Sequence, residues 1–164
     1  MVCQRLLTTV FNGLVALVAT GVAIGWSRAA ASDPAIDADL GVCVVLGLPD
    51  GTDPLSLVRL TEGNRRLIYF QSADSAQVSA VRTAASEAGV LGNQVFVEFG
   101  DPQSIHLADN LADSVWVTPA AVASTSRPEV LRILHPGAKA VIGTETLVKP
   151  QPEGVDSWSH PYHG

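Results

Sequence analysis

The chain has 164 residues, room for one domain once a leader is set aside. It is 47% hydrophobic and only 16% charged. The net charge is −6 and no basic stripe is present, which argues against nucleic acid as a partner.

Met1 to Ser32 reads as a leader. Arg5 gives a positive start, Leu6 to Trp26 is an apolar run with few interruptions, and Ala29-Ala30-Ala31 offers a small-x-small cleavage site. A run of this length could also span a bilayer as an uncleaved anchor. Either reading of residues 1–31 places the domain outside the cytoplasm, with the membrane touched only through a retained leader. Cys3 leaves with a cleaved leader, and Cys43 lies in an apolar run where a thiol acts as a small core residue. The two make neither a disulfide framework nor a zinc spacing.

Residues 32–40 form a polar linker. Val42 to Leu46 is a continuous apolar run ending in Gly47, the pattern of a strand buried on both faces of a parallel sheet. Leu48 to Gly51 is a turn. Asp53-Pro54 opens a helix with a cap followed by proline, carrying Leu55, Leu57, Val58 and Leu60 and ending at Gly63-Asn64. Leu67 to Phe70 is the second strand. Asp74 caps a second helix whose inner face holds Val78, Val81, Ala84, Ala85 and Ala88, closed by Gly89. Val95 to Phe99 is the third strand and Val115 to Val117 the fourth. A short helix from Glu129 to His135 is expected to stop at Pro136-Gly137, before a fifth strand at Ala140 to Ile142. Thr144 to Lys149 could add one more short strand.

Strand and helix alternate throughout. The expectation is an α/β, Rossmann-like three-layer sandwich over 41–149, with a mainly parallel sheet in the order 3-2-1-4-5. A ligand would lie at the carboxyl ends of strands one and four, at the switch point.

Three features then carry a resemblance: the strand ending in Gly47; the run Asp101 … Ile105 … Asp109-Asn110 … Asp113 before strand four; and Val130-Leu131-Arg132-Ile133-Leu134-His135-Pro136-Gly137 before strand five. From about Gly41 to Gly143 the chain resembles the core of class I S-adenosylmethionine-dependent methyltransferases, shortened by the last two strands. The resemblance implies that Gly47, Gly51, Gln71 and Asp101 stand at cofactor positions. Gly47 and Gly51 match the outer glycines of the family's loop. Gln71 stands near the end of strand two, where a carboxylate would hold the ribose. Asp101 matches the residue that meets the adenine amino group, or is a turn former before Pro102. The pattern departs at Val45, where the family has an acid, and at Pro49, where it has the middle glycine. Each lost charge-assisted hydrogen bond costs about 2–3 kcal/mol. Two such losses weaken binding by a factor on the order of 10²–10⁴. The resemblance thus points to an exported methyltransferase-like domain acting as a non-catalytic binding or interaction module. Its rival is an active S-adenosylmethionine-dependent methyltransferase with an altered pocket. A nicotinamide- or nucleotide-binding reading is disfavoured, because Gly-x-Gly-x-x-Gly is absent and no acid ends strand two.

Pro150 to Gly154 has linker composition. The run Trp158-Ser159-His160-Pro161-Tyr162-His163-Gly164 resembles the junction that leads into a quinoprotein-type β-propeller in exported bacterial proteins. His160 and His163, with Asp156, could bind a metal, but two histidines three apart without a third fixed ligand are usually a solvated tail, so no metal is expected there. Asp109-Asn110 is expected to be a turn, and Asp113 to begin strand four.

Overall fold

The computed structural model describes Leu40–Gly154 apart from Asp50 and Asn64. The expected leader, most of the linker, and the tail with Trp158, His160 and His163 lie outside the described residues. Among the described residues no helix is long and apolar enough to cross a membrane.

The elements run β1 (Leu40–Leu46), α1 (Pro54–Arg59), β2 (Arg65–Ser72), α2 (Ser75–Glu87), β3 (Val95–Phe99), β4 (Ala112–Val117), a 3-10 helix (Pro119–Ser124), α3 (Arg127–Ile133), β5 (Leu134–Ile142) and β6 (Glu145–Val148). They build one sheet in the order β3-β2-β1-β4-β5-β6. Its first five strands are parallel in the expected order. The strand foreseen after Thr144 is β6, which folds back antiparallel on β5.

Alternation along β1 divides the core. Cys43 and Val45 face α1 and α2, packing with Ile68, Phe70, Val78, Val81, Val95 and Val97. Val44 and Leu46 face the other way, packing with Val115, Val117, Val130, Ile133, Ala140 and Ile142. A strand inside a parallel sheet meets apolar neighbours on both faces, so its sequence is apolar at successive positions.

Both helix starts form as the sequence indicates. Asp53 accepts from Leu55 N at 3.0 Å and Asp74 from Ala76 N at 2.8 Å. Other details depart from expectation. α1 ends at Arg59, and Leu55 is exposed. On α2, Val78, Val81, Ala84 and Ala85 are buried, but Ala88 is exposed at the helix end. β2 begins two residues early at Arg65. Pro136-Gly137 does not stop a helix. α3 is already over at Ile133, and the pair lies inside β5 at a shift in register between Ala112↔Leu134 and Ser114↔Lys139. There β5 bulges away from β4. Gly137 N instead donates to Lys149 O at 2.9 Å, and Lys149 N to Ala138 O at 3.0 Å. Proline fits such a bulge because its missing N–H is not required by the ladder.

Candidate functional site

The carboxyl ends of β1, β2 and β4 meet beneath the β3–β4 loop and the 3-10 helix. Gly47 closes β1 at φ +71°, a left-handed conformation that glycine adopts without strain. Its N–H donates to Gln71 O at 3.0 Å. A β-carbon at Gly47 would lie 2.9 Å from Ala121 Cβ and 3.0 Å from Thr118 Oγ1. The room left by the missing side chain is therefore taken by the protein's own 3-10 helix. Val45 is fully buried in the α1–α2 face of the core. Past Gly47, Leu48 N donates to Gln77 Oε1 at 2.9 Å, and Pro49 O accepts from Thr52 N in a turn. Gly51 is exposed at φ +69° with open space around it.

Gln71 is fully buried near the end of β2. Its Nε2 donates to Asp101 O and Ser104 O, both at 3.0 Å. Its Oε1 accepts from His106 N and from Tyr69 Oη, both at 3.0 Å. Two donors and two acceptor positions are all that a primary amide has. Gln71 thus stitches the β3–β4 loop to the sheet with its full complement of bonds. Burial, and secondarily the charge of Glu98, push the Tyr69 phenol up to about 12.

Asp101 is exposed, and its Oδ1 accepts from Gln103 N at 2.9 Å. That is an Asx turn immediately before and around Pro102. Further along, the loop is gripped by Arg132. This guanidinium donates to Glu129 through Nε and Nη2, to Leu107 O and Asp109 Oδ1 through Nη1, and to Ile105 O through Nη2. The hydrogen bonds from Arg132 hold the Glu129 carboxyl below its ordinary value, against the upward push of burial, with help from Ile105 N–H. Glu129 and Asp109 raise the Arg132 guanidinium in turn. Asn110 takes the turn at φ 57° and accepts from Lys149 Nζ at 2.6 Å. Asp113 stands in β4, where Oδ2 accepts from Val42 N at 2.8 Å. The Asp109-Asn110 turn is as the sequence indicates.

Three of the four candidate cofactor residues therefore come together. Gly47 bonds to Gln71, and Gln71 to Asp101. Gly51 lies apart from this chain of bonds, in its own turn. The residues that sequence reasoning missed are Gln77, Thr118 and Ala121. Gln77 had a signal, because Asp74-x-x-Gln77 has the spacing of a capping box. The box is not closed in the usual way. Ser72 Oγ takes the Asp74 N–H at 3.1 Å and donates to Gln77 Oε1 at 3.0 Å, so the glutamine reaches across to β1's exit instead. Ala121 had no signal of its own.

A cavity of about 160 Å³ remains, lined among others by Gly47, Ser72, Asp74, Gln77, Pro102 and Ala121. Sites that bury a drug-sized ligand run to roughly 300–1,000 Å³. As arranged here the residues do not fit an adenosyl cofactor: the side of Gly47 left bare is filled by Ala121 and Thr118, and the amide near the end of β2 is fully engaged. Among the described residues no group of three metal-ligating side chains occurs.

No family model matches the chain, and no curated protein does. Solved structures do. A candidate S-adenosyl-L-methionine-dependent methyltransferase from Methanococcus maripaludis is similar at 21% identity and a TM-score of 0.50, over 62% of this chain and 46% of that one. The [4+2]-cyclase SpnF is similar at 24% and 0.52, over 62% and 37%. A candidate sarcosine dimethylglycine methyltransferase from Galdieria sulphuraria is similar at 21% and 0.52, over 61% and 38%. The chain spans less than half the length of each of these proteins. At such identities the likeness concerns the fold, and one of the three is named for a cyclisation. The described domain has the Rossmann-like fold of the class I S-adenosylmethionine-dependent methyltransferases.

Proposed function

We propose that this chain is an exported, methyltransferase-like domain that does not transfer methyl groups and serves as a binding or interaction module. The observation that carries this reading is the contact of Ala121 with Gly47, where a β-carbon would sit 2.9 Å away. At φ +71° Gly47 makes the turn that leaves β1, and the side its missing side chain leaves bare is not open to a ligand. A side chain of the same protein stands there. The saturated amide of Gln71 supports the same conclusion from the β2 side, since a ribose would have to displace a loop contact to bond there.

The leader pattern from Arg5 to Ala31 supports export. The run from Trp158 to Gly164 supports a link to a following propeller-type domain. The rival reading, an active methyltransferase with Gly47, Gly51, Gln71 and Asp101 lining the cofactor, draws on the names of two of the three fold neighbours.

Calorimetry with S-adenosylmethionine tests the proposal. The expected result is no saturable heat at ligand concentrations up to about 1 mM, that is, binding weaker than about −4 kcal/mol. Micromolar binding that is abolished by Asp101→Ala would overturn it in favour of the enzyme.

A further inference from the structure

We propose that the 3-10 helix Pro119–Ser124 is a displaceable plug, seated on two glycines, that swings off the sheet end and opens the cavity beneath it. This rests on the reading that the crevice is filled from within, and it adds that the filling is mobile.

The seat is visible in the geometry. The helix follows β4 and lies across the ends of both neighbouring strands. Ala121 rests on Gly47 at the end of β1, and Val122 on Gly143 at the end of β5, where a β-carbon would stand 3.2 Å from Val122 Cγ2. Only small side chains meet bare backbone there. Ala121 alone of the six residues is buried.

The hydrogen bonds of the plug stay within it. Ser124 Oγ and Thr125 Oγ1 both donate to Ala121 O, at 3.1 and 2.8 Å. Ala121 N donates to Thr118 O at 2.9 Å and Thr125 N to Val122 O at 3.4 Å. Among the described residues, no hydrogen bond joins Pro119–Ser124 to an element beyond its own flanks. The N-terminus has no side-chain cap, because Thr118 spends its hydroxyl on Leu46 O.

The flanks are held firmly. Thr118 is fully buried, with N and Oγ1 both bonded to Leu46 O at 3.1 Å. On the other side Ser126 O accepts from Val130 N in α3 at 3.1 Å. A segment tied at both ends and weakly docked between them opens locally while the rest stays folded. The plug supplies Ala120, Ala121 and Ser124 to the cavity wall, so its displacement widens the cavity and uncovers the buried Gly47 and Ser72.

Amide hydrogen exchange on the full chain, read residue by residue, tests this. Ala121 and Thr125 should exchange at least about tenfold faster than Val44, Val115 and Ala140, with a rate that is insensitive to low urea. Gly47→Ala places a methyl in the seat of Ala121 and should speed both amides about tenfold further while the strand amides keep their protection. Ala121→Gly removes the knob without adding a side chain at positive φ, and should act in the same direction. It decides the matter if Gly47→Ala folds poorly. The plug is excluded if Ala121 and Thr125 exchange with the rate and urea dependence of the strands, or if neither substitution moves them. Slow exchange with flat calorimetry would remove the plug and leave the non-catalytic reading standing. Tight cofactor binding by the unaltered chain would sink that reading whatever the exchange shows.

Discussion

Tyr69 and Gln71 lie two positions apart on β2, so their side chains share a face of the sheet, and the phenol donates to the amide oxygen. The pair is buried, and its neutral form is what the fold stabilises. Burial, then Glu98, push the Tyr69 phenol from its ordinary value near 10 up to about 12. Above the unfolded value the unfolded chain releases this proton more readily than the native one. The stabilisation is therefore whole below pH 10 and is lost as pH rises through about 12. Urea unfolding between about pH 9 and about pH 11 should show the unaltered protein losing stability more steeply than Tyr69→Phe. Parallel profiles would contradict the assignment. At this scale the sequence was readable only where partners are neighbours. Asp53 and Asp74 announce their caps within three residues. Only the bond from Tyr69 is local; the other three bonds of Gln71 run to residues 30 to 35 positions away, and those are what make it a structural amide rather than one that meets a ribose.

The β3–β4 connection carries no helix, yet it is fixed as firmly as one. Gln71 holds its start, Arg132 and Glu129 its middle, and Lys149 its end at Asn110. Arg132 works by shape as well as charge, because its planar fork reaches two backbone carbonyls and two carboxylates at once. Lysine keeps the charge and loses the fork. Arg132→Lys should cost about 1–2 kcal/mol in urea unfolding and speed exchange at Leu107, while leaving β1 and β2 protected. A loss below about 0.5 kcal/mol would show that the loop is held by other means. Element by element, the apolar run of β1 identified itself, because full burial leaves a continuous signature, whereas on β3 only Val95 and Val97 are buried. Pro136-Gly137 misled, since the pair that ends a helix also suits a strand bulge, and only the partner at Lys149 decides between them. The 3-10 helix, Pro-Ala-Ala-Val-Ala-Ser, has no period to read.

For the whole molecule, strand–helix alternation was enough to give the parallel order, because right-handed crossovers leave few alternatives. Coverage of the faces was not legible. With no helix between β3 and β4, Leu67 and Phe96 remain 37% and 40% exposed. The outer strand is guarded instead. Gln94 and Gly100 bond inward to β2, so the alternate carbonyl of Val97 faces outward, and Arg82 covers it with bonds of 3.3 and 2.8 Å. Arg82→Ala should uncover that edge beside Phe96 and produce concentration-dependent self-association in sedimentation velocity, with little change in urea midpoint. A sedimentation profile unchanged from that of the unaltered protein would mean that β3 is too short to template pairing. The strand order has a further consequence during synthesis. β1 has one neighbour, β2, close by in sequence, but its second neighbour is β4, and Val42 N meets Asp113 across 71 positions. Ala73 to Val117 takes about 2–9 s to make at 5–20 residues per second, and until then the apolar run Val42 to Leu46 has no second partner strand. In that interval the nascent chain offers a sticky template, and a chaperone or secretion factor that shields Val42 to Leu46 would act on the half-built sheet.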